Sequence, residues 1–195
     1  KTGLKMKEIS LEKDLYDPVL NWLTTWFVHH EANALSGQMS EIFSANVSQV
    51  PAEDNGGLWS RPDLAAVVFS KGRFVPQWSW SLVTIEVKTA KNINEQAVYE
   101  TIGHTRYSNY SFLFWQAGDK LGPKDRRIVE LCSQYQVGAI TSEHPEDAKS
   151  FRLRNMPARV SIEPHLVDGF IKARFPEFKQ TQIEKWLSLH GWIAD

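Results

Sequence analysis

Two apolar runs of strand length, separated by a break, constrain the fold of this chain most. Residues 63–70 and 82–89 are rich in Val, Ile, Leu and Phe, and Gly72 and Pro76 lie between them, where they block regular pairing. The pattern predicts two antiparallel strands joined by a long hairpin tip. Because 195 residues suffice for one medium-sized domain with a buried core, we expect the hairpin to belong to a central sheet.

Helical and strand patterns surround this hairpin. Helices are predicted over residues 10–27, 92–107, 123–135, 166–175 and 181–190, and further strands over residues 40–50, 111–116 and 137–141. The strand, helix, strand order after the hairpin implies a parallel pair. The predicted fold class is therefore α/β, with a central mixed β-sheet and flanking helices on both faces. A kink is expected at Pro18 in the first helix.

The composition excludes several classes of protein. With 42% hydrophobic and 23% charged residues, the chain has the composition of a soluble globular protein, and its apolar runs are too short for a transmembrane helix. A cytoplasmic setting is expected. The formal net charge of −1 argues mildly against a nucleic-acid coat or clamp, but it is compatible with an enzyme that acts on nucleic acid. Cys132 is the single cysteine, so an internal disulfide and a cysteine-based zinc site are excluded.

Charged residues in the two strands are expected to meet. In the second strand the side chains of Glu86 and Lys88 point to the face opposite Val87, because side chains alternate along a strand. A hairpin centred between residues 74 and 75 places Asp63 opposite Glu86. Like charges in this position destabilise a sheet by roughly 0.2–1 kcal/mol when exposed and by more when buried. A bound cation is the natural remedy.

Two carboxylates and a backbone carbonyl are hard oxygen ligands. They suit Mg²⁺ or Mn²⁺, with water and phosphate oxygens in the remaining positions. Lys88 beside them can orient an attacking water or neutralise charge that develops on phosphorus. The competing interpretation is a solvent-facing ion pair between Glu86 and Lys88 on a strand edge.

Arg61-Pro-Asp63, followed in the next strand by Glu86-Val-Lys88, resembles the signature of the PD-(D/E)XK nuclease superfamily. The resemblance covers about residues 11–141. It implies a restriction endonuclease-like core made of a helix, a three-stranded antiparallel meander, a helix and a further strand. Residues 1–160 would form this nuclease-like domain, and residues 161–195 a C-terminal helical extension of the same domain.

The resemblance also implies a set of catalytic residues and metal ligands. Asp63, Glu86 and the carbonyl of Val87 would hold Mg²⁺ or Mn²⁺, and Lys88 would assist the nucleophile in phosphodiester hydrolysis. A glutamate on the first helix faces the site in many members, which makes Glu12 a catalytic candidate.

Two further assignments come from the same resemblance. Acids in the first turn of a helix usually face solvent, so Glu12 could also be an exposed surface residue. In that case the alternative site residue on the first helix is Asp14. A glutamine on the helix after the lysine recurs in some branches, and Gln96 matches it, although this side chain could equally lie at an ordinary helix start.

Basic and aromatic residues outside this motif are candidates for nucleic-acid contact. No acidic residue interrupts the basic stretch from residue 149 to residue 159, which could follow phosphates, although basic runs are usually only solvated. The aromatic ring of Tyr107 could stack on a base or belong to the core. His104 is expected to be a packed or solvated side chain rather than a general base. The contact candidates are Arg106, Tyr107, Lys149, Arg152 and Arg154.

The function predicted from the sequence is a metal-dependent nuclease that hydrolyses DNA in defence, repair or mobile-element processing. DNA is the expected partner, no membrane is involved, and double-strand cutting would suggest a homodimer. The alternative is a catalytically silent domain of the same fold that binds nucleic acid or a protein partner. A third interpretation is an α/β interaction domain with a coincidental surface charge pair.

Overall fold

A computed structural model describes residues 8–25, 39–48, 61–71 and 78–191 of the chain. Its strands are β1 (Met39–Asn46), β2 (Leu64–Lys71), β3 (Trp78–Lys88), β4 (Tyr110–Gln116), β5 (Gly138–Ser142) and β6 (Phe151–Asn155). Its α-helices are α1 (Lys13–Trp22), α2 (Glu95–His104), α3 (Pro123–Gln134), α4 (Pro164–Arg174) and α5 (Glu177–Leu189), and a 3₁₀ turn spans Ala148–Ser150. The predicted α/β class is confirmed.

The six strands form one mixed sheet in the order β1-β2-β3-β4-β5-β6. The first three strands are antiparallel, β3, β4 and β5 are parallel, and β6 is antiparallel to β5. The parallel strands are connected by α2 and α3, as the strand, helix, strand pattern predicts. At Gly138 a Cβ atom would overlap the ring of Phe112, its partner on β4, so the close approach of β5 requires glycine there.

The register of the hairpin agrees with the prediction. Leu64 pairs with Ile85 and Ala65 with Thr84, so continuing the ladder by one residue brings Asp63 opposite Glu86. Of the predicted tip at residues 71–81, residues 72–77 lie outside the described residues. Regular pairing resumes earlier than expected, because β3 begins at Trp78 instead of Leu82.

Helices cover both faces of the sheet, as predicted. On one face, the apolar side of α1 packs on the central strands, where burial of each Leu or Val side chain contributes roughly 1.5–3 kcal/mol. On the other face, α4 and α5 pack on β1 and β2, and α2 and α3 pack on β4 and β5. The C-terminal helices therefore complete one of the layers around the sheet. No helix in the described part of the chain is both long and apolar enough to cross a membrane.

Two local predictions need correction. The first helix begins at Lys13 instead of residue 10, stays helical on both sides of Pro18 and widens into a π turn at residues 23–25; residues 26 and 27 of the prediction lie outside the described residues. The edge strand β6 was not predicted, because its sequence was interpreted as part of a basic surface run.

Candidate metal centre at the end of the hairpin strands

Asp63 lies just before β2, at the end of the hairpin opposite its tip, and two hydrogen bonds from different elements hold its carboxylate. Its Oδ1 accepts from the hydroxyl of Tyr16 on α1 at 2.6 Å, and its Oδ2 accepts from the backbone N–H of Val87 at 2.8 Å. Each carboxylate oxygen has further lone pairs for a ligand. Burial raises the pKa of Asp63, and the two hydrogen bonds and the charge of Lys88 oppose that shift.

Glu86 lies beside this aspartate and is 6% exposed. Burial raises the pKa of Glu86 to about 8, and the negative charge of Asp63 is the next largest cause. The ammonium of Lys88, with its Nζ 2.5 Å from Glu86 Oε1, offsets part of the shift. The two acids are thus close enough to repel each other in a poorly solvated position, which a bound cation would relieve.

Lys88 contacts two carboxylates. Its Nζ lies 2.5 Å from Glu86 Oε1 and 3.0 Å from Glu100 Oε2, which comes from α2. Burial disfavours the ammonium, but the charges and hydrogen bonds of Glu86 and Glu100 outweigh it and raise the pKa of Lys88. Lys88 is therefore a cation over the whole physiological pH range.

His104 closes the inner side of the site and is 1% exposed, so the expectation of a packed side chain is confirmed. Burial lowers the pKa of His104 to about 3, with a smaller contribution from the charge of Lys88, and the imidazole is neutral. Its Nε2 lies 3.7 Å from Glu86 Oε2. Within the described ranges its Nδ1 has no hydrogen-bond partner, which is unusual for a buried nitrogen.

The outer side of the site includes Glu12, directly before α1. Its Oε1 accepts from Asn92 Nδ2 at 3.1 Å, and its charge contributes to raising the pKa of Asp63. The structure thus brings Glu12 close to the candidate ligands, whereas Asp14 is exposed on the first turn of α1. This arrangement favours Glu12 over Asp14 as the site residue from the first helix.

Gln96 is connected to the site indirectly. It is exposed on α2, and its Nε2 donates to Glu100 Oε1 at 3.2 Å, while Glu100 in turn contacts Lys88. The structure therefore places Gln96 next to a partner of Lys88, one step removed from the acids.

Three residues of the site, Tyr16, Glu100 and Asn92, were not identified from the sequence. Helical spacing could have found two of them: Tyr16 is four residues after Glu12, and Glu100 is four residues after Gln96, so each shares a helix face with a residue that the motif identified. Asn92 lies in the turn after β3, where no periodicity indicates which side chains turn inward.

The donor set fits a hard divalent cation. Asp63 and Glu86 offer two carboxylates, and the N–H···O bond to Asp63 keeps the backbone of Val87 next to them. No group of three or more His, Cys, Asp and Glu side chains suited to a metal is present in the parts of the chain that the structure describes. Such a site would need water or phosphate oxygens to complete its coordination, which is the usual situation for protein-bound Mg²⁺.

The candidates for nucleic-acid contact lie at both ends of the strands, that is, at two opposite sides of the sheet. Arg106 and Tyr107 follow α2, close to the start of β4, and the ring of Tyr107 stacks on Phe170 of α4 with centroids 4.8 Å apart. Lys149 is exposed just before β6, whose first residue, Phe151, pairs with Ser142 at the end of β5. Because β3 and β5 run in the same direction, Lys149 lies at the edge of the sheet that carries Lys88.

The two arginines of β6 form hydrogen bonds and an ion pair with other residues of the protein. Arg154 Nε donates to Thr141 Oγ1 at 2.8 Å, and its Nη2 donates to the carbonyls of Gly118 and Asp119 at 3.3 and 3.2 Å. Arg152 Nε lies 3.0 Å from Asp119 Oδ1. Both side chains therefore connect the edge strand to the segment between β4 and α3.

The residues of the candidate metal centre come in chain order from the start of α1, the hairpin strands and α2. The resemblance to the nuclease superfamily continues to depend on the motif residues alone. Comparisons with known proteins add no relative, since no protein-family model, no curated protein and no solved structure matches the chain.

Proposed function

We propose that the protein is a metal-dependent nuclease that hydrolyses DNA phosphodiester bonds and belongs to the PD-(D/E)XK superfamily with a restriction endonuclease-like core. One observation carries the proposal: the strand register brings Asp63 opposite the buried Glu86, and the Nζ of Lys88 lies 2.5 Å from Glu86 Oε1. Buried like charges next to a charged lysine are more typical of a catalytic site than of a structural ion pair.

In this proposal each residue has a defined task. Asp63, Glu86 and the carbonyl of Val87 hold Mg²⁺ or Mn²⁺, which supplies charge neutralisation at the phosphoryl oxygens and a more acidic water. Tyr16 and the N–H of Val87 fix the orientation of the Asp63 carboxylate. Lys88 holds its positive charge where negative charge develops during attack.

The site's edge of the sheet also offers a path for the DNA backbone. Lys88, Trp115, Thr141 and Arg152 are successive register partners across β3, β4, β5 and β6. Three strand spacings of about 4.8 Å put Arg152 roughly 14 Å from Lys88. The exposed Lys149 near this end is the better candidate for a phosphate contact, because Arg152 and Arg154 already have protein partners.

The test is cleavage of supercoiled and single-stranded DNA in Mg²⁺ or Mn²⁺, with RNA in parallel. We expect cleavage by the native protein and a loss of about 10²-fold or more in both Asp63→Asn and Lys88→Met. Asp63→Asn weakens the binding of the metal ion, and Lys88→Met removes positive charge from the reacting phosphate. Asp14→Asn is the matched control, since it neutralises an exposed acid of α1, and it should leave the rate unchanged.

Other outcomes identify the alternatives. DNA binding without cleavage, in a protein that binds Mn²⁺, would favour the catalytically silent domain. Absence of both Mn²⁺ binding and cleavage would contradict the proposal and leave Glu86 and Lys88 as an ordinary ion pair.

A further inference from the structure

Lys88 contacts the same carboxyl group, that of Glu86, which is assigned to the metal ion. An ammonium has three donors and no acceptor, and in this structure two neighbouring carboxylates accept from it: Glu86 Oε1 at 2.5 Å and Glu100 Oε2 at 3.0 Å. The contact to Glu86 is the shorter one. The Lys88 ammonium therefore occupies a carboxyl oxygen of Glu86 that a metal ion would use.

A divalent ion on Glu86 would compete with that contact. The ion and the ammonium would both approach one carboxylate, and two cations a few ångströms apart repel each other strongly in a poorly solvated position. With side chains 17% and 8% exposed for Lys88 and Glu86, water screens this repulsion little. The ammonium must therefore leave Glu86 when an ion arrives, yet a nuclease needs it to stay in the site.

Glu100 offers the second position. It already contacts Lys88, and its side chain, 27% exposed, retains more contact with water than Glu86. Gln96 Nε2 donates to the other oxygen, Glu100 Oε1, at 3.2 Å, which orients Oε2 toward Lys88. The two α2 residues are four apart, so they share a face of the helix.

We propose that Glu100 is a positioning residue that receives the Lys88 ammonium when Glu86 binds a divalent ion, and that Gln96 holds Glu100 in the orientation for this transfer. The inference rests on the proposed metal site. It explains why Gln96, which contacts neither Asp63 nor Glu86, lies beside the site. It also gives the Lys88 ammonium a defined partner with and without a bound divalent ion.

The transfer is tested by Mn²⁺ binding, followed through the electron paramagnetic resonance signal of free Mn²⁺ in the absence of DNA. Glu100→Gln keeps the shape of the side chain but removes the charge that attracts the ammonium. We expect this variant to bind Mn²⁺ about tenfold more weakly, because Lys88 then stays on Glu86. Lys88→Met should bind Mn²⁺ more tightly than the native protein, because the competing cation is gone.

The double variant separates a transfer from a direct effect on the ion. In the Lys88→Met background, Glu100→Gln should change Mn²⁺ affinity little, because there is no ammonium left to receive. Equal weakening in both backgrounds would show that Glu100 acts on the ion itself, and no weakening in either would also overturn the transfer. Glu95→Gln is the matched control: Glu95 lies on the same helix with a side chain 56% exposed and pairs with Arg127, and its neutralisation should not alter affinity.

The same measurements distinguish failure of the inference from failure of the proposed function. If the native protein does not bind Mn²⁺, both are wrong. If Mn²⁺ binds with the expected dependence on Lys88 and Glu100 but DNA is not cleaved, the transfer is supported and the nuclease activity is contradicted.

Discussion

Two charged regions at one edge of the sheet differ in how their charges are satisfied. At the end of the hairpin opposite its tip, burial and the charge of Asp63 raise the pKa of Glu86, and among the described residues the Nδ1 of neighbouring His104 has no hydrogen-bond partner. On β6, the guanidinium groups of Arg152 and Arg154 bind a carboxylate, a hydroxyl and backbone carbonyls.

The difference teaches how to choose between two charge clusters as functional sites. The arginines of β6 complete hydrogen-bonding groups of the fold, so they need no ligand to be stable. Buried acids with like charges have the opposite property, since the fold holds them at a cost that a bound cation would offset. In this molecule the two arginines of β6 are structural, and the acidic pair is the candidate site.

The largest effect that would sharpen this comparison is a pH dependence of stability in metal-free protein. Because the pKa of Glu86 is raised from its ordinary 4.5 to about 8, its proton is bound more tightly in the folded than in the unfolded chain. The contribution of Glu86 to the free energy of unfolding is fully present below pH 4.5 and is lost as the pH rises through about 8. In chelator, we expect a loss on the order of a few kcal/mol over this window.

Glu86→Gln isolates this contribution, because glutamine imitates the protonated acid. Urea unfolding of this variant at pH 5 and pH 8 should show a much smaller pH dependence than the native protein. Glu130→Gln, at an acid of α3 whose side chain is 69% exposed, should behave like the native protein. An unchanged pH dependence in Glu86→Gln would show that Glu86 is not held in an unfavourable environment, and the contrast with β6 would be lost.

A smaller effect is expected at Tyr16, which donates to Asp63 Oδ1 at 2.6 Å. Tyr16→Phe removes only the hydroxyl, so Asp63 loses one of its two orienting hydrogen bonds. Loss of such a supporting contact typically weakens metal affinity by about 10- to 100-fold, and we expect Mn²⁺ binding to weaken within that range. Tyr99→Phe, at an exposed position of α2, is the control and should bind like the native protein. Equal affinity in all three proteins would refute the positioning role of Tyr16.

The parts of the fold that were predictable from sequence are those with a clear period. The alternation in residues 82–89 puts Glu86 and Lys88 on one face of the sheet, and the hairpin register expected from the sequence agrees with the pairing of Leu64 with Ile85, which brings Asp63 opposite Glu86. The order of the strands after the hairpin follows from the strand, helix, strand unit. These patterns depend on local sequence, so no knowledge of tertiary contacts was needed.

The parts that were missed depend on tertiary contacts or on a competing interpretation. The spacing of Glu100 from Gln96 shows only that the two residues share a helix face, and the contact of Glu100 with Lys88 appears only when α2 is packed against β3. The edge strand β6 did carry one: Phe151 and Leu153 alternate with Arg152 and Arg154, a strand period that the interpretation as a basic phosphate-binding run obscured.

The smallest effects concern β6 itself and distinguish its two arginines. Arg154→Met removes three hydrogen bonds, one to a buried hydroxyl, and should lower the free energy of unfolding by about 1–3 kcal/mol, because Thr141 loses a partner. Arg152→Met breaks an exposed ion pair with Asp119 and should cost less than about 1 kcal/mol. Urea unfolding measures both values.

DNA affinity of Arg152→Met and Lys149→Met, measured by fluorescence anisotropy at several salt concentrations, decides whether the contrast between the two regions holds. If the arginines only stabilise the fold, Arg152→Met leaves both the affinity and its salt dependence unchanged, whereas Lys149→Met reduces the salt slope by about one phosphate contact. A reduced slope in Arg152→Met would instead make β6 part of the DNA-binding surface. In that case satisfied charges, as well as unsatisfied ones, would contribute to function at this edge of the sheet.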